Sequence, residues 1–231
     1  MSDNHMAELM DRYPAIIDLQ QRALKRMPHV AREYLESGTT DERAVARNIE
    51  GMAKVTLVPK LLKGELKPDM STNLFGREYQ APFGIAPVGL SGLMWPRAEW
   101  ILAETAARYS IPYCLSTVAT QTPETVGPLV GDMGWFQLYS PRDREVRQDL
   151  LQRARDSGFG TLAVTVDPPA PSRRERQTRA GLHMPPRITA RFVYEAFCNP
   201  TWTLNTLQAG LPKLRTMEKY AQSANMAKTA M

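Results

Sequence analysis

The stretch GWFQLYSPRDREVRQDLLQRARDSGFGTLAVTVD, residues 134–167, contains the unit from which much of this chain is built. Residues 134–140 and 161–167 are short and mostly apolar, as is typical of buried strands. Residues 141–158 between them have the apolar spacing of a long amphipathic helix. A strand, a helix and a second strand in this order predict a parallel βα unit in an α/β fold.

The same alternation continues toward the N-terminus. Strands are predicted over residues 83–90 and 112–119, and helices over residues 96–109 and 122–130. Before these units, residues 14–36 predict one helix with Gly38 as its C-cap, and Thr40 or Asp41 is expected to cap a second helix. The chain is therefore expected to contain two leading helices and four consecutive strands.

Composition narrows the class of protein. The chain has 231 residues, of which 43% are hydrophobic, and a mean hydropathy of −0.37, so a soluble domain with a real core is expected. Its two cysteines favour a reducing compartment, and residues 1–14 lack the apolar region of a signal peptide, which predicts a cytoplasmic location. A net charge of +5 without aromatic–basic alternation does not predict nucleic-acid binding.

Polar residues stand at the C-terminal ends of the predicted strands. Ser116 and Thr117 lie near the end of the second strand, Gln137 and Tyr139 lie two apart on the third, and Thr165 and Asp167 lie two apart on the fourth. Residues two apart on a strand share a face. Ligand sites of barrels and open α/β sheets lie at this end of the strands, so the pattern indicates a functional site there. Each residue taken singly has an ordinary structural explanation.

Six motifs in order resemble one enzyme family over about residues 8–182. They are REYLESG (32–38), FGIAP (83–87), LSTVAT (115–120), WFQLY (135–139), TVD (165–167) and RRER (173–176). The chain resembles the FMN-dependent α-hydroxy acid dehydrogenases and oxidases, which include glycolate oxidase, flavin L-lactate dehydrogenase and mandelate dehydrogenase. The resemblance implies a (β/α)8 TIM barrel with FMN at its C-terminal face, of which this chain has the N-terminal helices and the first four βα units.

The resemblance also implies roles for particular residues. Asp167 corresponds to the acid that pairs with the catalytic histidine, and Tyr139 to the active-site tyrosine that hydrogen-bonds the substrate. Tyr34, Tyr139 and Arg174 correspond to substrate-binding residues. The implied FMN contacts are Ala86, Pro87, Val88, Gly89, Ser116, Gln137 and Thr165. No metal is implied.

The departures from the family bear on activity. The histidines are His5, His29 and His183, and none lies in the His-Gly-Gly-Arg stretch that supplies the family's base and carboxylate clamp. The family's lysine after strand five and its phosphate site at strands seven and eight also have no counterpart in the sequence. We therefore expect the chain alone to be inactive and to bind FMN weakly.

The expected organisation is one partial FMN-dehydrogenase domain over residues 1–231. Its predicted parts are a helical segment (1–80), four strands with helices (81–176), a mobile loop or lid (177–215) and a tail (216–231). Residues 188–207 are expected either to pack as a lid or to contact a membrane surface peripherally. The patch predicted for that contact comprises Arg187, Arg191, Phe192, Tyr194, Phe197 and Trp202.

Three hypotheses about function remain open. The chain is the N-terminal part of an enzyme that oxidises a 2-hydroxy acid to a 2-oxo acid and passes electrons through FMN to a quinone or other acceptor, with a homo-oligomer expected for the complete enzyme. Alternatively, it is a non-catalytic truncated remnant, or a half-barrel module that another chain completes. Within the first hypothesis, Gly89 and Val118 favour a dehydrogenase over an oxidase and a bulkier or aromatic substrate.

Overall fold

A computed structural model describes residues 3–65, 67–166, 173–182 and 189–221. The chain forms two compact units, each of which is described by itself. The first unit comprises residues 1–41 and 173–210, and the second comprises residues 42–172 and 211–231.

The elements are numbered in chain order. The helices are α1 (Asp3–Arg12), α2 (Ile16–Lys25), α3 (His29–Glu36), α4 (Arg43–Ala53), α5 (Ser91–Met94), α6 (Ala98–Arg108), α7 (Pro123–Val130), α8 (Arg144–Asp156), α9 (Glu175–Arg179), α10 (Ala190–Cys198), α11 (Pro200–Ala209) and α12 (residues 215–221). The strands are β1 (Thr72–Leu74), β2 (Arg77–Tyr79), β3 (Tyr113–Ser116), β4 (Gly134–Tyr139) and β5 (Thr161–Thr165).

The first unit begins with three helices where the sequence predicted a longer one. The single helix expected over residues 14–36 is wrong, because the chain breaks before Pro28 and resumes as α3. Proline disfavours helical geometry in the residue before it, and its missing N–H costs nothing at the start of the next helix. The Gly38 cap is also wrong: α3 ends at Glu36, and the Ser37 N–H donates to the Glu33 carbonyl at 3.2 Å.

The segment predicted as a loop over residues 177–215 contains helices. The short helix α9 packs against α3, and α10 and α11 pack against each other, where the Phe192 and Trp202 rings meet edge to face with centroids 6.3 Å apart. Trp202 is buried, so it anchors the α10–α11 pair and does not contribute to an exposed aromatic patch as predicted. Phe192 is half-buried in the same contact, and Arg187 lies outside the described residues.

The second unit is built on a parallel sheet in the order β3-β4-β5. Ser116 pairs with Gln137, and Tyr139 pairs with Thr165. One face of the sheet carries Leu115, Phe136 and Leu138, which are buried in a core with residues of α6, α7 and α8. The predicted βα units at residues 112–165 are thus confirmed, with helices on one face and the polar row on the other.

The strand predicted over residues 83–90 forms only an isolated bridge in the described chain, between Ile85 and Tyr113. The Ile85 N–H donates to the Pro112 carbonyl at 2.7 Å, and the Cys114 N–H donates to the Ile85 carbonyl at 3.0 Å. Pro82 and Pro87 flank the bridge and have no N–H to extend a ladder. Gly84 allows this approach, since a Cβ there would lie 2.6 Å from the Pro112 oxygen.

Residues 1–80, predicted as helical, also contain the hairpin β1-β2. Its loop places Phe75 and Gly76 at φ of 54° and 78°, as a tight two-residue hairpin turn requires. The Phe75 ring packs edge to face on Trp135 at 5.4 Å, and the Trp135 indole N–H donates to the Tyr79 hydroxyl at 2.8 Å. The hairpin therefore packs on the N-terminal end of β4.

Helix α4 begins one residue beyond the predicted caps. Glu42 is its N-cap, with φ of 58°, and its side chain makes no capping hydrogen bond. The expectation that Thr40 or Asp41 caps this helix is wrong. Sequence alone favoured them because short polar side chains are the usual N-caps.

Helix α12 lies in the segment predicted as a tail, and it is fixed to α7 and α8 by charged groups. Arg153 makes two hydrogen bonds to Glu124, at 2.6 and 3.1 Å, and also donates to the Thr216 carbonyl at 3.1 Å. These contacts lower the pKa of Glu124 to about 2, chiefly through the hydrogen bond from Arg153. Lys219 pairs with Asp149 at 2.7 Å. The network ties α12 to the helical layer of the second unit.

Helices α7 and α8 approach so closely that one position admits only glycine. A Cβ on Gly127 would lie 2.0 Å from the backbone oxygen of Ser157, whereas a Cβ on Gly51 in α4 would meet nothing within 4 Å. We expect Gly127→Ala to lower the free energy of unfolding by about 2–3 kcal/mol, the usual cost of overpacking. Gly51→Ala is the matched control and should raise it by up to about 1 kcal/mol, because alanine favours helix.

Urea denaturation followed by circular dichroism measures both changes. Equal effects of the two substitutions would contradict the close approach of α7 and α8.

Candidate functional site

A row of three hydrogen-bonded side chains crosses the parallel sheet at its C-terminal end. The Ser116 hydroxyl donates to Gln137 Oε1 at 2.7 Å, and Gln137 Nε2 donates to the Thr165 hydroxyl at 2.6 Å. The strand register places all three on the face opposite the helices. Ser116 and Gln137 are buried, and Thr165 on the edge strand is half-buried. The row fixes the orientation of the Gln137 amide.

Thr117, in the loop after β3, holds the backbone of β4 beside this row. Its hydroxyl donates to the Gln137 carbonyl and accepts the Tyr139 N–H at 3.1 Å. Tyr139 is half-buried and lies on the same face as Gln137, two residues further along β4. The loop after β3 therefore controls the position of two predicted site residues. Thr117 is among the polar residues predicted near the strand end, although no ligand contact is predicted for it.

Residues 86–89 run beside the end of β3. They are held at one side by the bridge at Ile85 and at the other by the Leu90 N–H, which donates to the Val118 carbonyl at 2.9 Å. Ala86, Pro87 and Val88 are exposed, and Gly89 is half-buried. An exposed backbone beside a polar row suits contact with a flat ligand.

Glu99 is a buried acid for which the sequence predicted no role. Its Oε1 accepts both the backbone N–H and the hydroxyl of Thr120, at 2.7 and 2.6 Å. Burial of a carboxylate is costly unless it is hydrogen-bonded, so these bonds hold the residue and fix the loop after β3. The only signal in the sequence is an acid in the first turn of α6, which is common at exposed positions as well.

The first unit brings together the segments that carry Tyr34 and Arg174. Arg176 makes two hydrogen bonds to Glu33, at 2.6 and 3.0 Å, and this pairing lowers the pKa of the Glu33 carboxyl. The Gln177 amide donates to the Tyr34 carbonyl at 3.4 Å. Helices α3 and α9 are thus joined across 143 residues of sequence. Tyr34 is half-buried and Arg174 is exposed.

The predicted site residues therefore fall into separate groups. Tyr34 and Arg174 belong to the first unit, whereas Ser116, Gln137 and Thr165 form one row in the second. Asp167 lies outside the described residues. Across the described part of the chain, no group of three or more His, Cys, Asp or Glu side chains is placed to bind a metal ion.

The sequence model of the FMN-dependent dehydrogenases matches residues 23–231. The chain belongs to this family. It is 37% identical over 195 residues to an L-lactate dehydrogenase of Caulobacter vibrioides, covering 84% of this chain and 51% of the relative. A putative L-lactate dehydrogenase of Mycobacterium tuberculosis is 37% identical over 193 residues, covering 83% of this chain and 47% of the relative.

The crystal structure of the monotopic membrane protein (S)-mandelate dehydrogenase is similar with a TM-score of 0.82 and 28% identity. The match covers 92% of this chain and 58% of that one. The family's fold is an FMN-binding TIM barrel, and the chain spans about half the length of the curated relatives it matches. Its described residues contain three barrel strands and one bridge, without a closed barrel.

The members of the polar row differ in burial. Substituting them is therefore expected to lower the free energy of unfolding by unequal amounts. Gln137→Leu leaves the buried Ser116 hydroxyl without its acceptor, and we expect it to destabilise the second unit by about 2 kcal/mol. Thr165→Val keeps a β-branched residue at a half-buried edge, and its expected cost is below about 1 kcal/mol. Urea denaturation of the two variants tests this order. A larger loss of stability in Thr165→Val than in Gln137→Leu would contradict the predicted order.

Proposed function

We propose that this chain is the N-terminal part of an FMN-dependent 2-hydroxy acid dehydrogenase, which oxidises the substrate to a 2-oxo acid. The observation that carries the proposal is the row of Ser116, Gln137 and Thr165 at the C-terminal ends of three adjacent parallel strands. Barrels place their chemistry at that end.

The described residues fit a flavin ring. The fixed Gln137 amide presents a donor, the Ser116 and Thr165 hydroxyls lie on either side of it, and the exposed backbone of residues 86–89 lies beside Ser116. When bound, FMN supplies the two-electron acceptor for oxidation of the substrate carbon. We assign the contacts to the ring to Ala86, Pro87, Val88, Gly89, Ser116, Gln137 and Thr165.

The proposed substrate is a small anionic 2-hydroxy acid. Tyr34 is assigned to its carboxylate. Arg174 is assigned to a position near the substrate, where a planar guanidinium fork suits an anion. Tyr139 is assigned to a hydrogen bond with the substrate. Asp167 is assigned to an imidazole from the remaining polypeptide, because a nearby carboxylate favours the imidazolium that forms when the base takes a proton. Gly89 and Val118 favour a dehydrogenase, with a quinone or other acceptor for its electrons.

The edge strand favours completion of the barrel over a self-contained remnant. On the helix side of β5, Leu162 is 45% and Val164 is 58% exposed, although the equivalent face of β4 is buried. Apolar side chains and an open strand edge together favour pairing with a further strand and helix. Further polypeptide provides this strand and helix under the enzyme hypothesis and under the half-barrel hypothesis, but not under the remnant hypothesis.

Reconstitution tests the proposed activity. The purified chain with added FMN should reduce no dye above background with L-lactate, glycolate or mandelate, and its flavin fluorescence titration should not saturate at low micromolar FMN. Co-expression with the C-terminal half of the Caulobacter relative should yield a yellow complex with dehydrogenase activity. In that complex, Asp167→Asn should lower kcat/KM by about ten- to a thousandfold without changing FMN content, because it removes charge stabilisation in the transition state.

Asp156→Asn is the matched control, since Asp156 is an exposed acid at the end of α8 that accepts a hydrogen bond from the Gln152 amide at 2.7 Å. It should leave kcat/KM unchanged. Turnover by the chain alone above about one per second, an ordinary enzyme rate, would contradict the proposal. A normal kcat/KM for Asp167→Asn in the FMN-loaded complex would remove the role assigned to Asp167.

A peripheral membrane contact is supported by the exposed face of α10 and α11. Val193, Tyr194 and Phe197 of α10 are exposed, as are Leu204 and Leu207 of α11. Within the described ranges no helix is both long and apolar enough to span a bilayer. The similar (S)-mandelate dehydrogenase is a monotopic membrane protein. We propose that this apolar face of α10–α11 inserts into the lipid interface, where amphipathic helices bind.

Vesicle sedimentation tests this contact. Replacing Tyr194 and Phe197 together with serine should reduce binding to phosphatidylcholine vesicles at least about thirtyfold, because each buried aromatic contributes more than about 1 kcal/mol. The control replaces Leu162 and Val164, which are also exposed and apolar, with serine. Equal loss in both double variants, or no binding by the unaltered chain, would contradict an interface on α10–α11.

A further inference from the structure

Helices α1 and α2 border an open surface cavity, and four of the eight residues that line it are cationic. Its volume is about 460 Å³, and it is lined by Arg12, Tyr13, Pro14, Asp18, Gln21, Arg22, Lys25 and Arg26. Four of these side chains carry a positive charge, and one carries a negative charge. All belong to the first unit, and none is assigned to FMN or to the 2-hydroxy acid.

Two of the guanidinium groups converge on one aromatic ring. The Arg12 guanidinium carbon lies 5.6 Å from the centre of the Tyr13 ring, and that of Arg22 lies 5.4 Å from it. Cation–π attraction therefore holds the last residue of α1 and a residue within α2 against the same ring. The two planar forks are in place before any anion binds, which reduces the entropy lost on binding.

The polar face of α2 concentrates further positive charge. Asp18, Gln21, Arg22 and Lys25 are spaced as neighbours on one side of the helix, and Arg26 follows four residues after Arg22. Like charges three and four residues apart repel and destabilise a helix. The single acid offsets this only in part, since Asp18 Oδ2 also accepts the Ala15 N–H at 3.0 Å and caps the helix start. A bound anion would relieve the repulsion.

The volume and the lining narrow the class of anion. A cavity of about 460 Å³ lies within the range of small-molecule sites. Guanidinium forks bind phosphate oxygens in pairs, and the Gln21 amide adds a neutral donor. The cavity also has apolar surface from Tyr13 and Pro14, so it can contact an organic group that carries the phosphate.

We propose that the cavity lined by Arg12, Arg22, Lys25 and Arg26 is a binding site for a phosphate-bearing anion. It is separate from the residues assigned to FMN and substrate. The phosphate belongs either to a soluble phosphate ester or to an anionic lipid headgroup, and the experiment distinguishes these two sources.

Isothermal titration of the full chain with pyrophosphate at low ionic strength tests the site. We expect saturable binding that Arg22→Gln and Lys25→Gln each weaken at least about fivefold, which corresponds to the loss of one charge-assisted contact. Asp18→Asn should tighten binding, because it removes the opposing charge and keeps an oxygen for the Ala15 N–H. Added salt should weaken binding in all variants that bind.

Arg155→Gln is the matched control, because Arg155 is an exposed arginine of α8 outside the cavity. Circular dichroism should show the same helix content in every variant, since the substituted side chains of α2 are not buried. Absence of pyrophosphate binding, an equal loss in Arg155→Gln, or no tightening in Asp18→Asn would overturn the proposal.

Vesicles that contain phosphatidylglycerol identify the source of the phosphate. If adding phosphatidylglycerol to phosphatidylcholine vesicles increases sedimentation, and both Arg22→Gln and pyrophosphate abolish the increase, the site takes a lipid headgroup. Pyrophosphate binding without such an increase assigns the site to a soluble phosphate ester. Both outcomes support the site. The proposal would be overturned if the Arg22→Gln variant still showed the phosphatidylglycerol effect and also bound pyrophosphate as tightly as the unaltered chain.

Discussion

The parallel register of β3, β4 and β5 is the constraint on which the candidate site depends. Pairing Ser116 with Gln137, and Tyr139 with Thr165, sends every polar residue of these strands to the same face. A shift of one residue would turn Gln137 into the core and Leu138 out of it. The buried hydrogen bonds of Gln137 add to this specificity, because each would lose its partner in another register. One set of contacts therefore fixes both the sheet and the row that faces the proposed flavin.

The helical layer keeps that register in place from the other side. Leu115, Phe136 and Leu138 are buried against α6, α7 and α8, and Gly127 lets α7 come close to the end of α8. The Arg153 network then holds α12 against the same helices. This side of the sheet serves stability, whereas the opposite side carries the groups suited to a ligand. In barrel enzymes the face opposite the helices is the barrel interior, and the chemistry lies at its C-terminal end, where this row is found.

The exposed parts of the molecule are of different kinds. The helix side of β5 is apolar and lies at an open strand edge, which favours further polypeptide. The face of α10–α11 is apolar and aromatic, which favours a lipid interface. The α1–α2 cavity is cationic, which favours an anion. Each surface therefore has a different dominant interaction with its proposed occupant.

The sequence by itself determined the βα units from residue 112 to residue 165, because apolar strands and an amphipathic helix have periods that differ clearly. It also indicated which residues share a face of the sheet, since alternation along a strand is local.

The sequence did not determine where hydrogen-bond partners distant in sequence meet. Prolines mark the break before α3 and flank the bridge at Ile85, but the spacing of apolar residues alone did not locate either feature. The strands of the hairpin at residues 72–79 are too short to show a period. The pairing of Glu33 with Arg176, the burial of Glu99 against Thr120 and the meeting of Arg12 and Arg22 on Tyr13 were decided only by the tertiary structure. The sequence does not indicate whether a charged residue faces water or pairs with another residue. Only the fold brings the partner into contact.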